Sequence, residues 1–205
     1  MNIKMKSVEH YFSPNPKSKH HFSLLHVLLK SRNFNFLTSS SVFSKKRIDP
    51  GTKLLIKTMI LPKDGMILDL GCGYGAIGIA ASSTNPKLKV IMTDINSRAI
   101  ELTKLNIKKN KIMNAKVRRG YLYEPVNDFV FDCILLNPPI SAGMKLVKSM
   151  ISEAPKVMAS KASFQMVIRS KIGAKLFPKI FKESFGNCKI ISRASGYRVL
   201  KGEKE

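Results

Sequence analysis

The stretch MILDLGCGYGAIGIA, residues 66–80, constrains the fold of this chain more than any other. Its apolar start reads as a buried strand, and residues 76–83 read as the helix that follows. Between them, the glycines at 71, 73 and 75 permit a tight turn and let the backbone approach a ligand closely. Strand, glycine turn and helix in that order begin a parallel sheet covered by helices. The N–H groups that open the helix would face whatever sits on the turn.

The chain after the turn repeats the alternation. KVIMTD (89–94) reads as a second strand, and SRAIELTKLNIKKN (97–110) as an amphipathic helix with Ile100, Leu102 or Thr103, and Ile107 at helical spacing. AKVRRG, FDCILL (131–136) and SFQMVIRS (163–170) read as a third, fourth and fifth strand. A helix around 171–185 ends at Gly186, a C-cap, and NCKIISRAS and YRVLKGEK then read as a closing antiparallel pair joined at Gly196. The expected fold is α/β and Rossmann-like: a seven-stranded, mostly parallel sheet with an antiparallel C-terminal strand pair and an N-terminal extension. Within that extension SLLHVLLK (23–30) reads as helical and 33–44 as an irregular or hairpin stretch. Asp49 is the expected N-cap of the next helix, with Pro50 at its first position. Residues 1–48 are expected to pack as a lid on a single domain of 49–205.

Two acids specify the ligand. Asp69 lies two residues before the turn, where a carboxylate would repel a pyrophosphate but suits an ammonium group. Asp94 ends the next strand, at the distance expected of a ribose-binding acid. The chain has only thirteen acids, so two at adjacent strand ends carry weight. A nucleoside with an amino-acid tail is implied, and S-adenosylmethionine fits. Cys72, between the glycines, reads as a small packing residue.

The fourth strand runs straight into Asn137-Pro138-Pro139. Two prolines stop a strand and fix a rigid loop. The first and fourth strands are expected to be neighbours, which sets Asn137 beside the cofactor's methyl group. An exocyclic amine is a poor nucleophile because its lone pair is delocalised. The Asn137 side-chain oxygen and the Pro138 carbonyl could accept its two N–H bonds and localise that pair. Alignment in such a site can supply effective molarities of about 10⁵–10⁸ M.

The net charge of +23 points to a polyanionic partner, with RNA or DNA ahead of an anionic membrane surface. The alternative is a surface of merely solvated lysines. No apolar run approaches the roughly 20 residues of a membrane span, and the basic N-terminus lacks the apolar middle of a secretion signal. A cytoplasmic location is expected. The three cysteines are odd in number and widely spaced, which excludes a disulfide framework and a CxxC metal site. His20-His21 lacks further ligands at metal spacing, so no metal is expected.

ILDLGCGYGAIGIA, TDIN and NPPI resemble the N-methylating class I S-adenosylmethionine-dependent methyltransferases. VFSKKRIDPGTKLLI and the C-terminal GYRVLK resemble the RsmC-like "MTS" family, which includes ribosomal RNA guanine-N2 methyltransferases. The likeness runs from about Phe34 to Lys201. It is to compact archaeal-type members with one catalytic domain, without the extra N-terminal half of the bacterial enzymes. It implies that Asp69, Gly71, Cys72, Gly73 and Gly75 line the methionine end of S-adenosylmethionine and that Asp94, with Ile95, binds the ribose. Asn137-Pro138-Pro139-Ile140 would form the catalytic loop, with Asn137 also at the cofactor, while Phe43 and Asp49 fold over it. Two positions depart from the pattern. Tyr121 stands where many relatives carry an adenine-binding acid, which leaves Leu122 or backbone as the substitute. Ile140 replaces the usual aromatic after the prolines, so stacking on the target base would fall to Tyr11, Phe12, Phe34 or Phe36, which could equally be core. Ser141 and Gly143 are expected to help shape the pocket.

The resulting expectation is an RNA base N-methyltransferase acting on ribosomal or transfer RNA. Guanine N2 is favoured by the resemblance, cytosine N4 is the rival, and adenine N6 comes third. A protein glutamine N-methyltransferase and a non-catalytic RNA-binding protein on the same fold are the alternatives.

Overall fold

The computed structural model describes residues 14–15, 22–39, 42, 44 and 47–205. Phe22–Leu29 (β1) and Arg32–Ser39 (β2) form an antiparallel hairpin whose turn residues, Lys30 and Ser31, both have positive φ. The helix expected at 23–30 is therefore a strand. The Leu24-Leu25 and Leu28-Leu29 pairs mimic helical spacing, and pairing with β2 decides the outcome. Pro50–Thr58 (α1) follows, capped as expected by Asp49 and with Pro50 in its first turn.

The main sheet contains Gly65–Leu70 (β3), Leu88–Asp94 (β4), Ala115–Arg119 (β5) and Phe131–Leu136 (β6). Met158–Arg169 (β7), Lys189–Ala194 (β8) and Tyr197–Glu203 (β9) complete it. The seven strands run in the order β5-β4-β3-β6-β7-β9-β8, with antiparallel pairing only at β7·β9 and β8·β9. Every strand of the expected sheet is present, although β7 starts five residues before the expected Ser163.

Helices cover both faces. Ala76–Ser82 (α2) and Ser97–Lys109 (α3) join α1 and the hairpin over one buried apolar cluster. Met144–Ser152 (α4) and Leu176–Phe185 (α5) cover the other. The periodicity of α4 was available in the sequence, since Val147, Met150 and Ile151 are its buried stripe, spaced i, i+3, i+4. α5 starts at Leu176, five residues later than expected, and ends at Gly186 in the left-handed conformation.

The hairpin docks on α3 through two asparagines. Asn106 accepts the Leu37 N–H at 2.7 Å and donates to the Leu37 and Tyr74 carbonyls, and Asn110 repeats the pattern at Asn35. These amides satisfy the backbone of β2 where no further strand pairs with it.

β3 leads outward to β4 and β5, and β6 restarts on its other side, so the order reverses between β3 and β6. Leu70 lies opposite Leu136 in that pairing. The crevice outside such a switch point is where open α/β sheets bind ligands. Among the described residues, no helix is long and apolar enough to cross a membrane.

Candidate active site

The glycine turn is built as its residues require. Gly71, Gly73 and Gly75 have φ of 70°, 58° and 90°, a region that L side chains rarely adopt. A Cβ on Gly75 would lie 3.0 Å from Thr103 Cγ2, so the turn is pressed against α3. The end of β4 clamps it: the Thr93 carbonyl accepts the Cys72 N–H at 2.9 Å, and Asp94 Oδ2 accepts the Gly73 N–H at 2.8 Å. Asp94 Oδ1 accepts the Asn96 N–H at 2.9 Å.

The switch-point crevice is a cleft of about 300 Å³. Gly71, Cys72 and Gly73 form its floor, Asp94 and Ile95 one wall, and Asn137, Pro138 and Pro139 the other. Tyr121 and Leu122 both line the far end, beside Gly120 and Ala99. Asp69 and Gly75, expected at the cofactor, are not among the residues that line it. Asp69 is fully buried; its Oδ2 accepts the Gly78 N–H at 2.8 Å, and Oδ1 has no partner. Through Oδ2 it ties α2 beneath the turn. Burial pushes its carboxyl up to about 7, against the Gly78 hydrogen bond and with a smaller push from Asp94. Burial also raises Asp94 to about 6, opposed by the N–H bonds of Asn96, Gly73 and Ile95. The Cys72 thiol is likewise pushed well up by burial, in keeping with packing rather than nucleophilic use.

The residues present fit S-adenosylmethionine. The added Cβ of Gly71 or Gly73 would meet nothing closer than 3.8 Å, so the turn has an open side. A carboxylate stands at the wall, and the buried hydroxyl of Thr93, which also lines the cleft, lacks a partner. Apolar Ile95, Ala99 and Leu122 could flank a base.

On the opposite wall Asn137 is held by its nitrogen. Nδ2 donates to Thr52 Oγ1 at 2.8 Å and to Asp49 Oδ2 at 3.2 Å. Its Oδ1 accepts no hydrogen bond from any described residue, so the side chain presents an acceptor at the cleft. Asp49 is itself fixed, accepting the Thr52 N–H at 2.9 Å and the Tyr197 hydroxyl at 3.3 Å. Tyr197 packs across Gly51, where an added Cβ would lie 2.8 Å from the ring. Asp49 thus anchors Asn137. The Pro138 carbonyl already accepts the Ile140 N–H at 2.9 Å, which leaves one lone pair for a substrate.

Other expected residues fall elsewhere. Ile140 opens a short 3₁₀ turn and packs into the second core cluster, away from the cleft lining. Ala142, Leu146 and Met150 shape that end of the cleft instead of Ser141 and Gly143. Phe34 and Phe36 are buried and stacked on each other with centroids 5.8 Å apart, so they are core. Phe43, Tyr11 and Phe12 lie outside the described residues. Thr52 and Tyr197 were missed; the spacing of DPGT hinted at the first, and only tertiary pairing reveals the second.

The chain resembles several known proteins. The methyltransferase small domain family matches residues 33–201. The uncharacterized protein YbxB of Bacillus subtilis (strain 168) is 35% identical over 198 residues, covering 96% of this chain and 98% of YbxB. A compact relative therefore occurs in a bacterium as well. Ribosomal RNA small subunit methyltransferase C of Hamiltonella defensa is 28% identical over 166 residues, 79% of this chain and 48% of that protein. The chain thus spans about half the length of such relatives. In fold, the 16S rRNA N2 G1207 methyltransferase (RsmC) of T. thermophilus, solved with AdoMet and guanosine, superposes with a TM-score of 0.82 at 20% identity. That match covers 93% of this chain and 52% of RsmC. The chain belongs to the methyltransferase small domain family, and in sequence and fold it resembles the RsmC-like class I methyltransferases.

Proposed function

We propose that this protein transfers a methyl group from S-adenosylmethionine to the exocyclic N2 of a guanine in ribosomal RNA. The observation that carries this reading is the anchored Asn137 amide. Its nitrogen is occupied by Thr52 and Asp49, so its oxygen is free to accept an N–H from an amine in the cleft. Bound S-adenosylmethionine supplies an electrophilic methyl group. The residues of this chain then align the amine: Asn137 Oδ1 accepts one N–H, and the remaining lone pair of the Pro138 carbonyl accepts the other. With the cofactor bound, the amine so held would be in line to take the methyl group that S-adenosylmethionine would supply, and its surplus proton would pass to solvent.

The net charge of +23 supports a nucleic acid over a protein substrate. Guanine is the base named for the T. thermophilus enzyme, and ribosomal RNA the substrate named for the curated relatives. The base would have to be unpaired or flipped into the cleft, at a cost of a few kcal/mol.

The test is a tritium-transfer assay with unmodified ribosomal RNA, assembly intermediates, transfer RNA and bulk protein. Label recovered as N2-methylguanosine supports the reading. Label in N4-methylcytidine moves the target to cytosine, and label in protein overturns the RNA assignment.

A further inference from the structure

Strand direction sorts the charge of this molecule. The carboxyl ends of β6 and β7 and the β8–β9 turn share the edge that carries Asn137. The Ser170 N–H donates to the Gly196 carbonyl at 2.8 Å, and Arg169 pairs with Tyr197, so the 170–175 loop and the 195–196 turn stand together there. From Cys133 to Gly202 the sequence has thirteen lysines and arginines against two acids, Glu153 and Glu183. Those acids lie at the far ends of α4 and α5, helices that lead away from this edge. Asp64, Asp132 and Glu203 also sit at the opposite edge, at the starts of β3 and β6 and the end of β9.

The mouth edge on the β6-β7-β9 side therefore presents Lys145, Lys148, Arg169, Lys171, Lys175 and Arg193, all exposed. None of the six forms an ion pair among the described residues. Asp49, an acid held beside Asn137, is engaged by Thr52, Asn137 and Tyr197. The β4-β5 side of the same cleft differs. There Arg118 pairs with Asp128 at 3.3 Å and lies over the Phe129 ring, and Arg119 bonds Ile95, Pro14 and Asn15.

We propose that RNA enters the cleft across the β7–β9 half of the mouth, with its phosphates on the six cations named above. This inference rests on the RNA reading under Proposed function. Cations without an ion-pair partner release counterions when phosphates replace them, and that release drives association; of the six, Arg169 also lies over the Tyr197 ring, 5.7 Å from its centroid. Cations already bound to protein groups contribute less. The β4-β5 half of the cleft is left to the adenosine end of the cofactor.

The test compares two double charge reversals in the full chain, Lys171→Glu/Lys175→Glu at the mouth and Lys156→Glu/Lys161→Glu at the opposite edge. Both change the net charge equally and all four lysines are exposed. Affinity for a fluorescein-labelled RNA hairpin with a guanine-containing loop is read by anisotropy across a salt series. The mouth pair is expected to bind about tenfold or more weakly, with a salt slope shallower by about 1 to 1.5. The control pair is expected to change affinity less than about twofold. Equal losses in both pairs, or none at the mouth, with wild type binding normally, would overturn the surface alone. Failure of wild type to bind RNA would overturn the RNA reading together with it. Calorimetric binding of S-adenosylmethionine by both variants confirms that a loss is not one of folding.

Discussion

Asp49 receives hydrogen bonds from neighbouring Thr52 in α1 and from two distant parts of the chain, Asn137 after β6 and Tyr197 in β9. It serves as both a helix cap and a positioning residue for the Asn137 amide, and the two roles can be separated. In Asp49→Ser the shorter side chain still caps α1 but no longer reaches Asn137. Turnover is expected to fall about tenfold, the rate equivalent of one hydrogen bond of about 1.4 kcal/mol. Cofactor affinity and Tm should stay near wild type; unchanged turnover would show that Asp49 does not position Asn137. Asp69 carries a pH signature. Its unfolded value is about 3.9 and its folded value about 7. Below the first, both states hold the proton. Between them the folded protein keeps a proton that the unfolded chain has released, so stability falls as pH rises and levels off above the folded value. Asp69→Asn retains an acceptor for the Gly78 N–H and removes the titration. Relative to that variant, wild-type Tm should drop from about pH 4 to about pH 7, and parallel curves would contradict the assignment. The residue types of this site were legible in the sequence because glycines at positive φ, an acid at a strand end and Asn-Pro-Pro each have a local signature. Side-chain direction was not. Asp69 stands one residue from cleft-lining Leu70, and alternation along a strand turns it to the α2 face.

At the scale of elements, the hairpin is where local pattern and tertiary structure part. β1 carries leucine pairs that suit either period, and only its partner strand and the asparagines of α3 decide for a strand. The helices with end signals were legible: Asp49-Pro50 starts α1 and Gly186 ends α5. α4 starts at Gly143 without a side-chain cap, so nothing marked its beginning. Asn106 and Asn110 hold β2 as a further strand would, which gives them an outsized structural role. Replacing both with alanine removes four hydrogen bonds to β2 and leaves its inner backbone unpaired. A loss of about 2–4 kcal/mol in urea unfolding is expected, with early proteolytic cleavage in the hairpin. Wild-type stability and protection in that variant would show that apolar packing alone docks the hairpin.

For the whole molecule, the mostly parallel sheet and the adjacency of its first and fourth strands, β3 and β6, were legible in the sequence because each strand–helix unit is short and its crossover hand is fixed. The pairing of β3 with β6 brings the glycine turn to the Asn-Pro-Pro loop, and that meeting makes the cleft. The excess of positive charge was equally legible, but the placement of the acids away from the Asn137 edge depends on the direction in which α4, α5 and β9 run. The account as a whole requires that Asn137 act on the substrate and leave cofactor binding alone. The most direct measurement is single-turnover methyl transfer to ribosomal RNA by Asn137→Ala beside calorimetric titration with S-adenosylmethionine. Turnover about 10²–10³ lower, with cofactor affinity nearly unchanged, is the expected result. Full turnover in the variant would contradict it and remove Asn137 from the chemistry.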